Sequence, residues 1–192
     1  MIRKLTKDDY TVSTWSGGTT TQLAIYPETE KYADRNFLWR ISSATVDLPE
    51  SDYTALPDYD RFITPLNGQM ILTHDGGDET DVQPLTVHEF DGAAATHCVG
   101  VCTDFNLMLR KEKAQGFMQA VTLDEENGIL IEPLTKEQTM LFYVVSGTAF
   151  LKDEDDVIEL CAGEAVLITD EEYEYLLESD DSAVVVAAGA EV

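Results

Sequence analysis

The sequence predicts an all-β protein, and three observations lead there. Apolar residues nowhere recur at helical spacing over three turns, short runs rich in β-branched and aromatic residues recur along the chain, and Gly-, Asn- and Asp-containing turns separate them at fairly even intervals. Antiparallel sandwiches and barrels have this pattern. One stretch, Phe37 to Val46 (FLWRISSATV), organises the rest. Leu38, Arg40, Ser42, Ala44 and Val46 alternate with Trp39, Ile41, Ser43 and Thr45, so both faces are mainly apolar or small. Such a strand belongs at the centre of a sheet, covered on both sides. Arg40 stands out in it, because a guanidinium there needs an ion-pair partner, water or a ligand.

The other elements follow in order. A lead-in ends at Thr14-Trp15-Ser16-Gly17-Gly18, whose glycines turn the chain into a strand from Thr19 to Tyr26. Pro27 to Asn36 is a polar loop, and Val46 to Asp60, with two prolines and several acids, is a surface excursion. Arg61 to Thr73 reads as two strands around a hairpin-like turn at Leu66-Asn67-Gly68. Asp75 to Asp78 is a turn, Thr86 to Phe90 a short strand, Asp91-Gly92 a turn, and Gly100 to Arg110 a strand. In this last strand Asp104, Asn106, Met108 and Arg110 share one face.

Strands then follow at Phe117 to Leu123, Gly128 to Pro133, Thr139 to Leu151, Val157 to Leu160, Ala165 to Thr169, Glu174 to Glu178 and Ser182 to Ala188, with an acidic turn at Asp153 to Asp156. Lys111 to Gln115 and Lys136 to Gln138 are each long enough for one helical turn. The pattern Leu66-Asn67-Gly68, acidic turn, strand, Asp91-Gly92 recurs as Val145-Ser146-Gly147, Asp153 to Asp156, strand, Ala162-Gly163. This internal repeat has the strand–Gly–strand–Gly rhythm of a cupin-like jelly roll.

Composition narrows the function. The 192 residues carry a formal net charge of −25, from 37 acidic and 12 basic residues, which argues against nucleic acid and anionic membrane surfaces as partners. The imbalance is uneven: after Lys113 the only basic residues are Lys136 and Lys152, set against nineteen acids. An anion site therefore belongs on the first part of the chain. The basic start, MIRKLTKDDYTV, lacks the apolar run of a signal peptide, and no apolar run is long enough for a membrane helix. Cys98 and Cys102 would stand about 13 Å apart on one extended strand, beyond disulfide reach. A reducing, cytoplasmic location is expected.

Catalytic signatures are absent from the sequence. There is no P-loop, dinucleotide fingerprint or GxSxG elbow. The three histidines, His74, His88 and His97, form no HxH pair, so neither a metal nor any other cofactor is expected. What remains is a set of polar or amphipathic groups among apolar strands: Trp15, Thr21, Gln22, Arg40, Ser42, Arg61 and Asn106. Each has a purely structural reading. Trp15 fits a core, Ser42 and Asn106 can satisfy backbone groups, Arg40 can form an internal salt bridge, and Arg61 can pair with Asp58 or Asp60. The alternative gathers several in a barrel mouth, where Arg40 or Arg61 takes a small carboxylate bidentately.

These stretches together resemble the HutD/Ves family. The resemblance is carried by Trp15, Gly17-Gly18 and Thr21; by Trp39-Arg40-Ile41-Ser42 with Ala44 and Val46; by Leu56-Pro57, Asp60-Arg61, Leu66 and Gly68; by Phe90-Asp91-Gly92; and by Thr103 to Met108 with Arg110. The resemblance implies two intertwined β-barrels in one chain, a bicupin, with approximate halves 1–113 and 114–192. It also implies a governor of histidine utilisation that binds a small carboxylate metabolite without established catalysis; Trp15, Arg40, Ser42, Arg61 and Asn106 are the matching motif positions, and we expect them to line its pocket. Members often carry Lys-Asn after the tryptophan and Arg-Glu after the threonine, where this chain has Ser16 and Gln22-Leu23. Two other readings stay open: a metal-independent cupin enzyme acting on a small organic acid, and an interaction module whose acidic second half docks a basic partner. A homodimer is compatible with all of them.

Overall fold

The computed structural model describes residues 1–153 and 156–192, so Glu154 and Asp155 of the expected acidic turn lie outside the described residues. The strands are β1 (Ile2–Leu5), β2 (Thr11–Trp15), β3 (Gly18–Tyr26), β4 (Trp39–Val46), β5 (Glu50–Asp52), β6 (Tyr59–Gly68), β7 (Met70–His74), β8 (Glu79–Val82), β9 (His88–Asp91), β10 (Thr96–Val99) and β11 (Cys102–Arg110). Then come β12 (Gln115–Asp124), β13 (Ile129–Ile131), β14 (Leu134–Ser146), β15 (Thr148–Lys152), β16 (Val157–Cys161), β17 (Ala165–Glu171), β18 (Tyr175–Glu178) and β19 (Ser182–Glu191). The one 3-10 turn among the described residues is Tyr32–Asp34.

Two compact units result, Tyr10–Gln115 and Met1–Asp9 with Gly116–Val192. A division by chain order at 113/114 puts the first residues with the first half, yet β1 pairs antiparallel with β17.

In the 10–115 unit a six-stranded sheet, β2-β3-β4-β11-β6-β9, accompanies a four-stranded one, β5-β10-β7-β8. Val46, Ile63, Phe90 and Cys102 of the first sheet cluster with Met70, Leu72, Val82 and Cys98 of the second. In the other unit a five-stranded sheet, β1-β17-β14-β19-β12, accompanies β13-β18-β15-β16. Its core includes Phe142, Val144, Leu151, Leu160, Val166, Ile168, Leu177 and Val185.

The two units share one topology. β9-β6-β11-β4 corresponds to β17-β14-β19-β12, and β5-β10-β7-β8 to β13-β18-β15-β16. Even the bulges coincide. On β6 and β11, Asn67 faces Thr103 and Pro65 faces Asp104; on β14 and β19, Ser146 faces Val184 and Val144 faces Val185.

Leu66-Asn67-Gly68 is not a hairpin turn. β6 pairs with β11 and β9, whereas β7 pairs with β10 and β8, so the chain passes there from one sheet to the other. Gly68 makes the passage possible: its φ is +78°, and a Cβ would lie 2.2 Å from the Val101 carbonyl oxygen. Gly147 does the same between β14 and β15, with φ +80° and the Ser182 carbonyl oxygen 2.2 Å away, so Thr139 to Leu151 is two strands, not one.

Other expectations also change. The lead-in contains β1 and β2, and the excursion after Val46 contains β5. Lys136 to Gln138 lies within β14, at an irregularity where Gln138 Oε1 accepts from the Thr135 N–H, rather than in a helical turn. Cys98 and Cys102 occupy different strands, and both are free and buried. The central strand does have both faces covered: Arg40, Ser42 and Val46 are buried on one side, Trp39 and Ile41 on the other. No helix among the described residues is long and apolar enough to cross a membrane.

Candidate functional site

Strand register assembles the site. Across the six-stranded sheet Gln22, Ser42, Asn106 and Ile63 stand in one row, and Ile25, Arg40, Met108, Arg61 and Phe90 in the next. A third row holds Thr20, Ala44, Asp104 and Pro65. Side chains in register share a face, so the polar residues of four strands look the same way. Arg40 and Arg61 are two strands apart, which separates their Cα atoms by about 10 Å.

That face opens on a cavity of about 610 Å³ lined by residues of this unit, among them Trp15, Tyr32, Arg40, Tyr53, Arg61 and Asn106. Trp15 is at the rim, at the end of the exposed edge strand β2. Its ring lies against Gly17, where a Cβ would come within 2.1 Å of a ring carbon.

Arg40 is 5% exposed and Arg61 6%. Arg40 donates from Nε to Gln22 Oε1 (2.8 Å) and from Nη1 to Ser42 Oγ (3.1 Å), and its guanidinium stacks 4.4 Å from the Tyr32 ring centroid. Arg61 donates from Nη2 to Asn106 Oδ1 (3.0 Å) and lies near the rings of Tyr53 and Phe90. Neither arginine has an ion pair within 4 Å among the described residues, and the buried Nε of Arg61 has no hydrogen-bond partner. The structural readings, a salt bridge for Arg40 and surface pairing with Asp58 or Asp60 for Arg61, are therefore not what the structure contains.

Asn106 connects the pair to a carboxylate. Its Nδ2 donates to Asp104 Oδ1 (2.9 Å) while its Oδ1 accepts from Arg61. Asp104 is 2% exposed, and burial pushes its carboxyl up to about 6, against the opposing pull of Asn106, Arg61 and the Ala44 N–H. Burial also draws the Arg40 guanidinium down to about 10, opposed by Tyr32 and assisted by the charges of Arg61 and Arg35. Both arginines remain cationic at neutral pH. The arrangement can take an anion by charge-assisted hydrogen bonds in a largely desolvated setting.

Of the sequence-predicted residues, Trp15, Arg40, Ser42, Arg61 and Asn106 line the cavity. Gln22 acts one step back, through Arg40 Nε. Thr21 is not brought to the cavity: it pairs with Ser43 on the opposite face, and Thr20 takes the lining position. Sequence reasoning missed Asp104, Tyr32, Tyr53 and Met108. The alternation of Asp104, Asn106 and Met108 on one face was the available signal for two of them; Tyr32 and Tyr53 come from outside the strands and gave none.

The histidines lie elsewhere. His74 Nε2 and His88 Nε2 are 2.9 Å apart, and His97 pairs with Asp52 at 2.8 Å. No group of three or more His, Cys, Asp or Glu is arranged to hold a metal ion among the described residues.

Paired sheets repeated twice around Gly-mediated crossings define a cupin-like all-β protein. Consistent with that class, bacterial pirin YhhW of Escherichia coli, solved with nickel(II), superposes with a TM-score of 0.68 at 11% identity, covering 98% of each chain. The chain belongs to the HutD family, whose model matches residues 7–187. HutD from Pseudomonas fluorescens, solved in a formate condition, aligns at a TM-score of 0.75 with 21% identity over 98% of each chain. A conserved Pseudomonas aeruginosa protein of unknown function aligns at 0.87 with 21% identity over all of both chains. No curated protein matches the sequence.

Proposed function

We propose that the 10–115 unit binds a small carboxylate metabolite between Arg40 and Arg61, and that the protein is a non-enzymatic regulator of histidine utilisation. The observation carrying this reading is the pair of buried guanidiniums facing one cavity with no carboxylate of their own within 4 Å among the described residues. Buried charges are ordinarily paired, and buried N–H groups ordinarily donate. A carboxylate would supply the acceptors that Arg61 Nε lacks. Membership of the HutD family supports the ligand class. The pairing of β1 with β17 supports the intertwined, bicupin description. Three free cysteines fit a reducing cytoplasm.

Thermal shift tests this reading. Formate, urocanate, formylglutamate and histidine are screened against wild type, Arg40→Lys and Arg40→Ala. One of the acids should raise the wild-type Tm by mass action. Arg40→Ala should abolish the shift and Arg40→Lys retain little of it, because a point charge does not replace a bidentate fork. No shift with any of them refutes the proposal, and an Arg40→Ala chain that unfolds makes the arginine structural.

Asp104 favours a second reading, a metal-independent cupin enzyme acting on a small organic acid. Its carboxyl titrates near pH 6 within the polar network, where it can exchange a proton. Product formation from a bound acid decides between the two.

A further inference from the structure

We infer that the cavity selects its ligand by charge, taking a monocarboxylate as it stands and a dicarboxylate only together with a proton on Asp104. The inference rests on the anion-site reading above and extends it to the charge class of the ligand and the residue that sets it.

The charges are few enough to balance. Two guanidiniums, Arg40 and Arg61, and one buried carboxylate, Asp104, line the cavity, so its interior carries one net positive charge when Asp104 is ionised. Asp52 also lines it, but that carboxylate is exposed, paired with His97 and screened by water. Arg35, stacked 3.9 Å from the Tyr32 ring centroid, lies outside the lining and is partly exposed, so water screens part of the positive charge it adds at Arg40 and Arg61.

One monoanion between the guanidiniums therefore leaves a neutral buried site. A second carboxylate would leave an uncompensated negative charge in it, which is costly away from water. Only Asp104 is suited to remove that charge. The groups around it are Asn106 on its own strand, Ala44 of β4, Arg61 of β6, and Tyr53, Cys98 and Cys102. Burial raises Tyr53, Cys98 and Cys102 from ordinary values already at or above 9, so all three are neutral at pH 7. Asp104 also has no direct ion pair with Arg61 among the described residues; Asn106 stands between them. Protonation therefore breaks no guanidinium–carboxylate contact. Since the carboxyl already sits at about 6, the proton is within reach at neutral pH.

Fumarate and monomethyl fumarate test this, because they share a shape and differ by one charge, and fumarate stays fully ionised near neutrality. Each is titrated calorimetrically into wild type and Asp104→Asn from pH 6.5 to 8, in two cationic buffers of different ionisation enthalpy. Above pH 7, where Asp104 is mostly ionised, the ester should bind with little proton exchange and a nearly flat pH profile. Fumarate should bind wild type with uptake of about one proton and lose affinity by about tenfold per pH unit. Asp104→Asn should abolish both effects. Fumarate rejected by wild type but admitted by Asp104→Asn is the same selectivity in its limiting form.

Fumarate binding to wild type without proton uptake, or rejection by both proteins while the ester binds, overturns the inference and leaves the anion site standing. Should Asp104→Asn fail to fold, wild-type proton uptake still decides. If fumarate, its ester and formate all fail to bind wild type, the anion-site reading itself is refuted.

Discussion

Asp104 also makes a quantitative prediction about stability. Its carboxyl has an ordinary value of 3.8 and sits at about 6 in the folded protein, pushed up mainly by burial. The folded state therefore holds this proton more tightly than the unfolded state does. Below pH 3.8 the group is neutral in both states and costs nothing; as pH rises through 6 stability is lost. The shift is about two pKa units at 1.36 kcal/mol each, so the full loss is about 3 kcal/mol. Asp104→Asn keeps the shape and removes the titration, and its amide oxygen can still accept from Asn106. Urea denaturation of both proteins between pH 4 and 7.5 isolates the term, because the other carboxylates cancel in the difference. Because part of the loss is already complete at pH 4, the variant's stability relative to wild type should climb by about 2 kcal/mol across that range and level off above pH 7. A difference that does not change with pH would refute the argument, since the carboxyl would then be ionised as easily as in water.

Gly68→Ala should destabilise the protein by about 2 kcal/mol or more in urea denaturation, because it combines a left-handed φ with a Cβ driven into the Val101 carbonyl; a neutral substitution would show that the crossing tolerates a side chain. His74 and His88 give a pH dependence of opposite sign. Burial lowers both below the usual 6.5, with the charge of Arg61 assisting at His74 and that of His74 assisting at His88. Their contribution is present above pH 6.5 and lost as pH falls through that value, and a His74→Gln/His88→Gln protein should lose less stability between pH 7.5 and 5.5 than wild type does.

The long central strands were legible because their patterns repeat. β3, β4, β6 and β11 carry β-branched or aromatic runs bounded by Gly and Asp turns, and their side-chain parity put Arg40 and Ser42, and Asp104 and Asn106, on common faces. β1, β2, β5, β8 and β10 were missed because they are only three to five residues long and partly charged or exposed, so partners rather than local pattern make them strands. Thr21 was misplaced relative to Thr20 because register between β3 and β4 is set by pairing, which no single strand reveals. Asp104 escaped selection for a related reason. An acid in a strand reads as a surface residue until the strand proves central, and β11 lies between β4 and β6.

The duplication separates what the fold needs from what the site needs. With the bulges aligned, Asp104 corresponds to Val185, Asn106 to Ala187 and Arg61 to Met140, because Asp104 faces Pro65 as Val185 faces Val144, Asn106 faces Ile63 as Ala187 faces Phe142, and Met108 faces Arg61 as Gly189 faces Met140. In the second unit Val185 and Ala187 belong to a continuous apolar core, and Met140 packs against it. The same scaffold thus closes with aliphatic side chains where the first unit buries two charges and an amide. Aliphatic groups at such positions are at least as stabilising as a polar network, because they carry no desolvation penalty. Folding alone therefore gives no reason for Arg61, Asn106 and Asp104 to be there. The proposed anion would supply one, since its charge matches that of the two arginines.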